Sequence, residues 1–222
     1  MNPAPTLSPE QQERLPLFPL PGAVFFPHSL LPLHIFEPRY REMTAWCIEN
    51  ESPFAVARIL PGHESEQPGD PPVVPVCGAG RLLYHEELPD GRYILFLQGI
   101  GRVRIEAENP RAAAFRTARV QLLDDFYPGL PAGLEAKAAR LKTCLAGLIL
   151  RWPGASRVLD PLLGRTEHPA VLADCLATFL FQDPDARQAL LECLDVGQRL
   201  DRVRDRITEI LTRTAPAEGT VQ

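Results

Sequence analysis

The chain has 222 residues, 45% of them apolar and 23% charged, with 24 prolines, 15 glycines and a formal net charge of −5. That length suffices for one large domain or two small ones with a real core, and the Pro and Gly content stays below the level that marks disorder. The acidic balance argues against a dedicated nucleic-acid binder. No apolar run approaches the roughly 18 residues that span a bilayer, and the N-terminus lacks a signal-peptide layout, so a cytoplasmic protein without membrane contact is expected.

Residues 1–12 are polar and read as a flexible leader. From Leu15 to Tyr40 the chain is strongly apolar, yet broken by Pro16, Pro19, Pro21, Pro27, Pro32 and Pro38. Each proline removes a donor, so the stretch is expected to give short edge strands, Leu15–Leu20 and Leu31–Phe36, linked through the Pro21-Gly22 turn. Pro38 suits a first helical position, and Tyr40, Met43 and Cys47 then share one face of a short helix reaching Asn50. Phe54–Leu60 reads as a buried strand and Pro61–Pro72 as a polar, acidic loop. Val73–Tyr84 is a strand with a bulge expected near Gly78 and Gly80. After the Pro89-Asp90-Gly91 turn, Arg92–Gln98 is apolar on both faces, which predicts a central strand. Gly99-Ile100-Gly101 reads as a turn or bulge, and Arg102–Glu106 and Phe115–Leu122 alternate as half-buried strands.

Composition then changes: fifteen of the 24 prolines precede residue 76, and the later part is rich in Leu, Ala and Arg. Helices are predicted over Ala132–Arg151, Pro169–Phe181 and Pro184–Thr212, the last with Asp183 as its cap and with Arg199 on its polar side. The fold class is therefore α+β: a small β-barrel-like sheet with a short helix over residues 13–126, an α-helical bundle over 132–213, and a loose tail at 214–222.

The segments Leu15-Pro16-Leu17-Phe18-Pro19-Leu20 and Leu31-Pro32-Leu33-His34-Ile35-Phe36-Glu37-Pro38-Arg39-Tyr40 resemble the opening of the N-terminal, substrate-binding domain of Lon proteases. Leu88-Pro89-Asp90-Gly91 and Gly99-Ile100-Gly101-Arg102-Val103-Arg104-Ile105 extend the likeness, and the helical run Leu172–Leu211 continues it. The resemblance implies a PUA-like sheet and recognition of exposed apolar or unfolded segments of other proteins. The likeness is to a stand-alone form of that domain, without the ATPase and protease parts. The phosphate-cradling Gly-x-x-x-x-Gly-Lys-[Ser/Thr] loop is missing, and Lys137 and Lys142 have no serine nearby in sequence for a Ser–Lys dyad.

Other chemistry is thin. The five cysteines, Cys47, Cys77, Cys144, Cys175 and Cys193, include no Cys-x-x-Cys pair and read as reduced core thiols. Cys77 and His85 are the best thiol–imidazole pair on offer, and His28, His34 and Cys47 have no zinc-module spacing. No metal and no cofactor is expected. A binding module is the leading reading: an open sheet edge flanked by apolar pockets, with Phe18, Phe25, Phe26, Phe36, Arg39 and Tyr40 as candidate peptide-binding residues. Its partners would be unfolded polypeptides, with a protease or chaperone as a further partner if it acts as an adaptor. The alternative is a small-ligand protein or a thiol-dependent enzyme on the same barrel.

Overall fold

The computed structural model describes residues 7–67, 69–165 and 168–213; the first six residues and the tail 214–222 lie outside them. In chain order the elements are α1 (Pro9–Glu13), β1 (Leu15–Leu20), β2 (Leu30–Ile35), α2 (Pro38–Glu49), β3 (Phe54–Arg58), β4 (Val76–Glu87), β5 (Tyr93–Glu108) and β6 (Arg116–Leu123). Then follow α3 (Pro131–Arg151), α4 (Ser156–Arg165), α5 (Pro169–Leu180), α6 (Pro184–Leu191) and α7 (Val196–Arg213). The described residues divide into two compact units: those up to Asp124 with Asp183–Glu192, and those of Asp125–Gln182 with those from Cys193 to Arg213.

The first unit is a six-stranded sheet in the order β2-β5-β4-β3-β1-β6, closed into a small barrel by pairing of β6 with β5. The expectation that the proline-rich opening supplies only edge strands holds for β2 and fails for β1. β1 lies between a parallel β3 and an antiparallel β6. It tolerates Pro16 and Pro19 because its two partners are staggered: Leu15–Leu17 pair with β6, Leu17–Leu20 with β3, and only Leu17 faces both. Each proline thus sits where one edge has no ladder to break.

β5 is one long strand rather than two. Its first half pairs with β2 and β4, its second with β4 and β6. The glycine run that reads as a turn or bulge is a bulge: opposite Ala79 and Gly80 the register skips from Gly101 to Gly99, leaving Ile100 unpaired. The segment Phe25–Phe26 lies directly against these strands. A Cβ on Gly78 would stand 2.0 Å from the Phe25 carbonyl oxygen, and one on Gly99 would stand 2.2 Å from that of Phe26. Only glycine fits at either place.

Two apolar clusters fill this unit. One, inside the barrel, gathers Leu15, Leu17, Ala55, Cys77, Val103 and Val120. Leu7 joins it, so the expected leader is partly built in, with Ser8 capping α1 reciprocally with Gln11. The other lies between α2 and the inner face of β2-β5-β4, where Phe18, Ile35, Tyr40, Met43, Tyr93, Leu95 and Leu97 meet.

The single helix predicted from Pro184 to Thr212 is two helices in two different units. Asp183 caps α6 as expected, accepting from Ala186 N at 3.0 Å. Asp195 accepts from Gln198 N at 2.9 Å and starts α7 afresh. α6 belongs with the barrel: Arg187 donates to the Val24 carbonyl at 2.8 Å, Gln188 to that of Val76 at 2.9 Å, and Arg102 to that of Leu191 at 2.9 Å.

In the second unit α3, α5 and α7 pack through Leu141, Leu145, Leu172, Leu176, Leu200, Val203 and Ile207. Arg199, expected on the polar side of its helix, is instead 1% exposed. Its guanidinium lies 2.7 Å from Asp125 and 3.5 Å from Asp174, and donates to the Cys193 carbonyl at 3.2 Å. A buried charge is tolerated here because carboxylates neutralise it.

Candidate functional site

β2, β5 and β4 form a three-stranded sheet with one face on α2 and the other bare. Alternation decides which residues go where: along β5, Tyr93, Leu95 and Leu97 turn inward, so Ile94, Phe96 and Gln98 turn outward. The register aligns the outward residues in rows. Pro32, Phe96 and Tyr84 lie side by side, followed by His34, Ile94 and Glu86, and on the other flank Leu30, Gln98 and Arg81. Phe96 and Ile94 are each 39% exposed, Tyr84 47% and Leu30 55%. The Tyr84 and Phe96 rings are 5.9 Å apart, and the Tyr84 hydroxyl donates to Glu86 at 3.0 Å, which pushes its pKa up. Phe36, just past β2, is 60% exposed with its ring 6.0 Å from that of His34. An apolar centre rimmed by Arg81, Glu86, His34 and Gln98 has the anatomy of an interaction surface.

The residues singled out from sequence land elsewhere, with one exception. Phe18, Phe25, Phe26 and Tyr40 are all at most 5% exposed. Phe18 stacks edge-on against Tyr40 at 4.6 Å and against Phe54 at 6.1 Å, as core aromatics do. Burial raises the Tyr40 pKa, partly offset by Arg39, whose guanidinium lies 4.5 Å over its ring. Arg39 is an anchor for the 61–72 loop: it pairs with Glu37 at 3.0 Å and donates to the carbonyls of Gln67 at 2.5 Å and Gly69 at 2.6 Å. Arg111 and Arg116 hold the same loop through Asp70 and the Pro71 carbonyl. Phe36 alone of the six presents its ring on the surface. Leu30, Tyr84, Ile94 and Phe96 carry no motif; a prediction of which sheet face α2 covers is what would have found them.

The thiol–imidazole pair does not form. Cys77 and His85 are both on β4, about 25 Å apart at the rise of an extended strand. Cys77 is sealed in the barrel while His85 is exposed, and burial pushes the Cys77 and Cys47 thiols up to about 12 and that of Cys175 to about 11. Among the described residues no group of three or more His, Cys, Asp or Glu side chains is placed to hold a metal.

Beside β4 runs a groove of about 620 Å³ with Cys47, Ile48 and Leu82 in its lining and Gln11, Asn50 and Arg81 among its polar walls. A smaller, charged cavity of about 330 Å³ lies at Asp70, Glu108, Arg111 and Arg116, whose charges already pair with one another.

The family model of the ATP-dependent protease La (LON) substrate-binding domain matches residues 14–209. The chain belongs to the Lon substrate-binding domain family. It is 30% identical to the Lon protease of Paraburkholderia phytofirmans over 195 residues, 88% of this chain and 24% of that one. It is 26% identical to Lon protease 2 of Myxococcus xanthus, over 85% of this chain and 23% of that one. The chain thus spans about a quarter of the length of these relatives. Among solved structures, a Lon N-terminal domain protein from Xanthomonas campestris superposes with a TM-score of 0.61 at 25% identity, covering 86% of this chain and 96% of that one. The N-terminal domain of the Mycobacterium avium complex Lon protease superposes at 0.70 and 17% identity, covering 89% and 99%, and so shares the fold. The α+β architecture, a small closed sheet followed by helices, is the Lon N-domain fold. No helix among the described residues is long and apolar enough to cross a membrane.

Proposed function

We propose that this protein is a non-catalytic binding module that recognises exposed apolar or unfolded polypeptide segments through the outer face of β2-β5-β4, alone or as an adaptor for a separate protease or chaperone. The observation that carries the reading is the set of neighbouring apolar side chains, Leu30, Pro32, Tyr84, Ile94 and Phe96, left exposed on the face of the sheet opposite the core that buries Ile35, Tyr93, Leu95 and Leu97. Membership in a family described as substrate-binding supports it. The buried, high-pKa Cys47 and Cys77 and the separation of Cys77 from His85 weigh against the thiol-enzyme alternative. Affinity of micromolar order suits a surface of this kind, which offers apolar area without a deep pocket. Titration of the whole protein with a fluorescently labelled, reduced and carboxymethylated polypeptide tests the reading. Saturable binding that the same polypeptide in its native, folded form does not compete away is expected. No saturation at hundreds of micromolar protein would overturn it.

A further inference from the structure

The groove beside β4 is an empty strand position. β3 pairs with β4 only from Val56↔Gly78 to Phe54↔Gly80. The residue next beyond the last pair, on the N-terminal side of Phe54, is Pro53, which has no N–H to continue the ladder. The chain turns away there through a helix-ending turn in which Ser52 N donates to the Cys47 carbonyl at 2.9 Å and Glu51 N to that of Ile48 at 3.4 Å. Glu51 takes the left-handed conformation, φ 47°, that this turn normally gives to glycine. β4 nevertheless runs on to Glu87, paired with β5 on its other side from Arg81↔Gln98 to Glu87↔Tyr93. Among the described residues, residues 81–87 therefore show a row of backbone donors and acceptors with no partner on the groove side.

We infer that this edge takes up an extended polypeptide as an added strand continuing the line of β3; the inference rests on the peptide-binding reading above and names its mode. The occupant follows from the chemistry. A row of alternating N–H and C=O groups is matched only by another extended backbone, and seven residues offer about 20 Å of ladder. An added strand would send alternate side chains to opposite faces. One set enters the groove over Ile48 and Leu82, and the other continues the apolar face beside Tyr84 and Phe96. The segment favoured is thus one with apolar residues at alternate positions, and main-chain recognition leaves its remaining sequence free. The edge of β2, the other open strand of this sheet, is a poorer template because Pro32 interrupts its donors. A second copy fits β4 less well than a pliable peptide does, since the bulge between Leu82 and Tyr84 kinks the edge and two rigid kinked edges do not lie flat together.

The test uses the whole protein and a synthetic decapeptide alternating leucine with serine and lysine, plus two copies N-methylated at alternate amides, one on each edge. Strand addition predicts asymmetry: methyls on the pairing edge weaken binding at least tenfold, and methyls on the other edge change it less than threefold. Hydrogen exchange at the groove-facing amides within residues 82–87 should slow at least tenfold with the parent peptide. If both methylated copies bind like the parent, or if protection appears elsewhere and not on β4, edge addition is wrong while peptide binding through the apolar face stands. If the β4 amides become protected on raising protein concentration without peptide, the edge is closed by a second copy and the inference is wrong. If neither the decapeptide nor the unfolded polypeptide binds, the functional reading itself fails and takes this inference with it.

Discussion

Phe96 is the residue on which the binding face can be tested most cleanly, because it is central to the face and its loss should leave the fold intact. At 39% exposure, and with about 200 Å² for a fully open phenylalanine side chain, it presents about 80 Å² to solvent. Covering that area with a bound apolar segment contributes about 2 kcal/mol at 25 cal/mol per Å². This is an upper bound, since ordering a flexible chain consumes part of it. Phe96→Ser should therefore weaken binding of the labelled unfolded polypeptide by about 5- to 30-fold, at 1.4 kcal/mol per tenfold. Fluorescence anisotropy reads the affinity and thermal unfolding reads the fold. Adding Ile94→Ser, a neighbour on the same strand with equal exposure, should weaken binding further, while loss of stability stays near 1 kcal/mol because both side chains are already partly wet. An unchanged affinity in the double variant would refute the assignment of this face.

Arg39→Ala removes the clamp on the Gln67 and Gly69 carbonyls, and should lower stability by about 1–3 kcal/mol while leaving the affinity for unfolded polypeptide within twofold in titration of the folded variant. Arg199→Met removes the cation that lies against both Asp125 and Asp174, the latter 1% exposed, and should cost about 3–5 kcal/mol by denaturant unfolding; adding Asp174→Leu should restore part of that loss. The Cys47 and Cys77 thiols should resist a thiol reagent at pH 8 until the protein unfolds. Their folded-state values lie above the ordinary 9.0, so the folded state holds these protons more tightly than the unfolded chain. Their contribution to stability is complete below pH 9 and falls away between pH 9 and 12, with a slope of up to about 1.4 kcal/mol per pH unit for each thiol. Denaturant midpoints measured across that range check the sign.

The sequence carries local rules well and long-range coverage poorly. Asp183-Pro184 starts a helix where its cap chemistry says it should, and Gly78 and Gly80 mark a bulge. The break between α6 and α7 is hidden because Leu190, Leu194, Leu200, Val203, Ile207 and Ile210 fall near one stripe when the run is read as a single helix; a local sign of the break is Asp195, a second cap. Arg199 looked solvated because no window around it contains Asp125 or Asp174. The site was obscured for a related reason. Ile94 and Phe96 on one side of β5 and Tyr93, Leu95 and Leu97 on the other gave an apolar run on both faces, which reads as a strand covered twice. β5 is central, but α2 covers only its inner face. The apolar residues chosen from sequence, Phe18, Phe25 and Phe26, were indistinguishable from core residues and are core residues.

The assignment of α6 to the barrel has a consequence for synthesis of the chain. The last strand ends at Leu123, but the helix bonded to the Val24 and Val76 carbonyls and to Arg102 is not complete until Leu191. At about 5–20 residues per second, the ribosome needs roughly 3–14 s to deliver it. For that interval the nascent sheet waits with Arg102 and those carbonyls lacking these partners, so an abortive product ending in the intervening helices should be captured by chaperones or degraded rather than persist as a finished barrel.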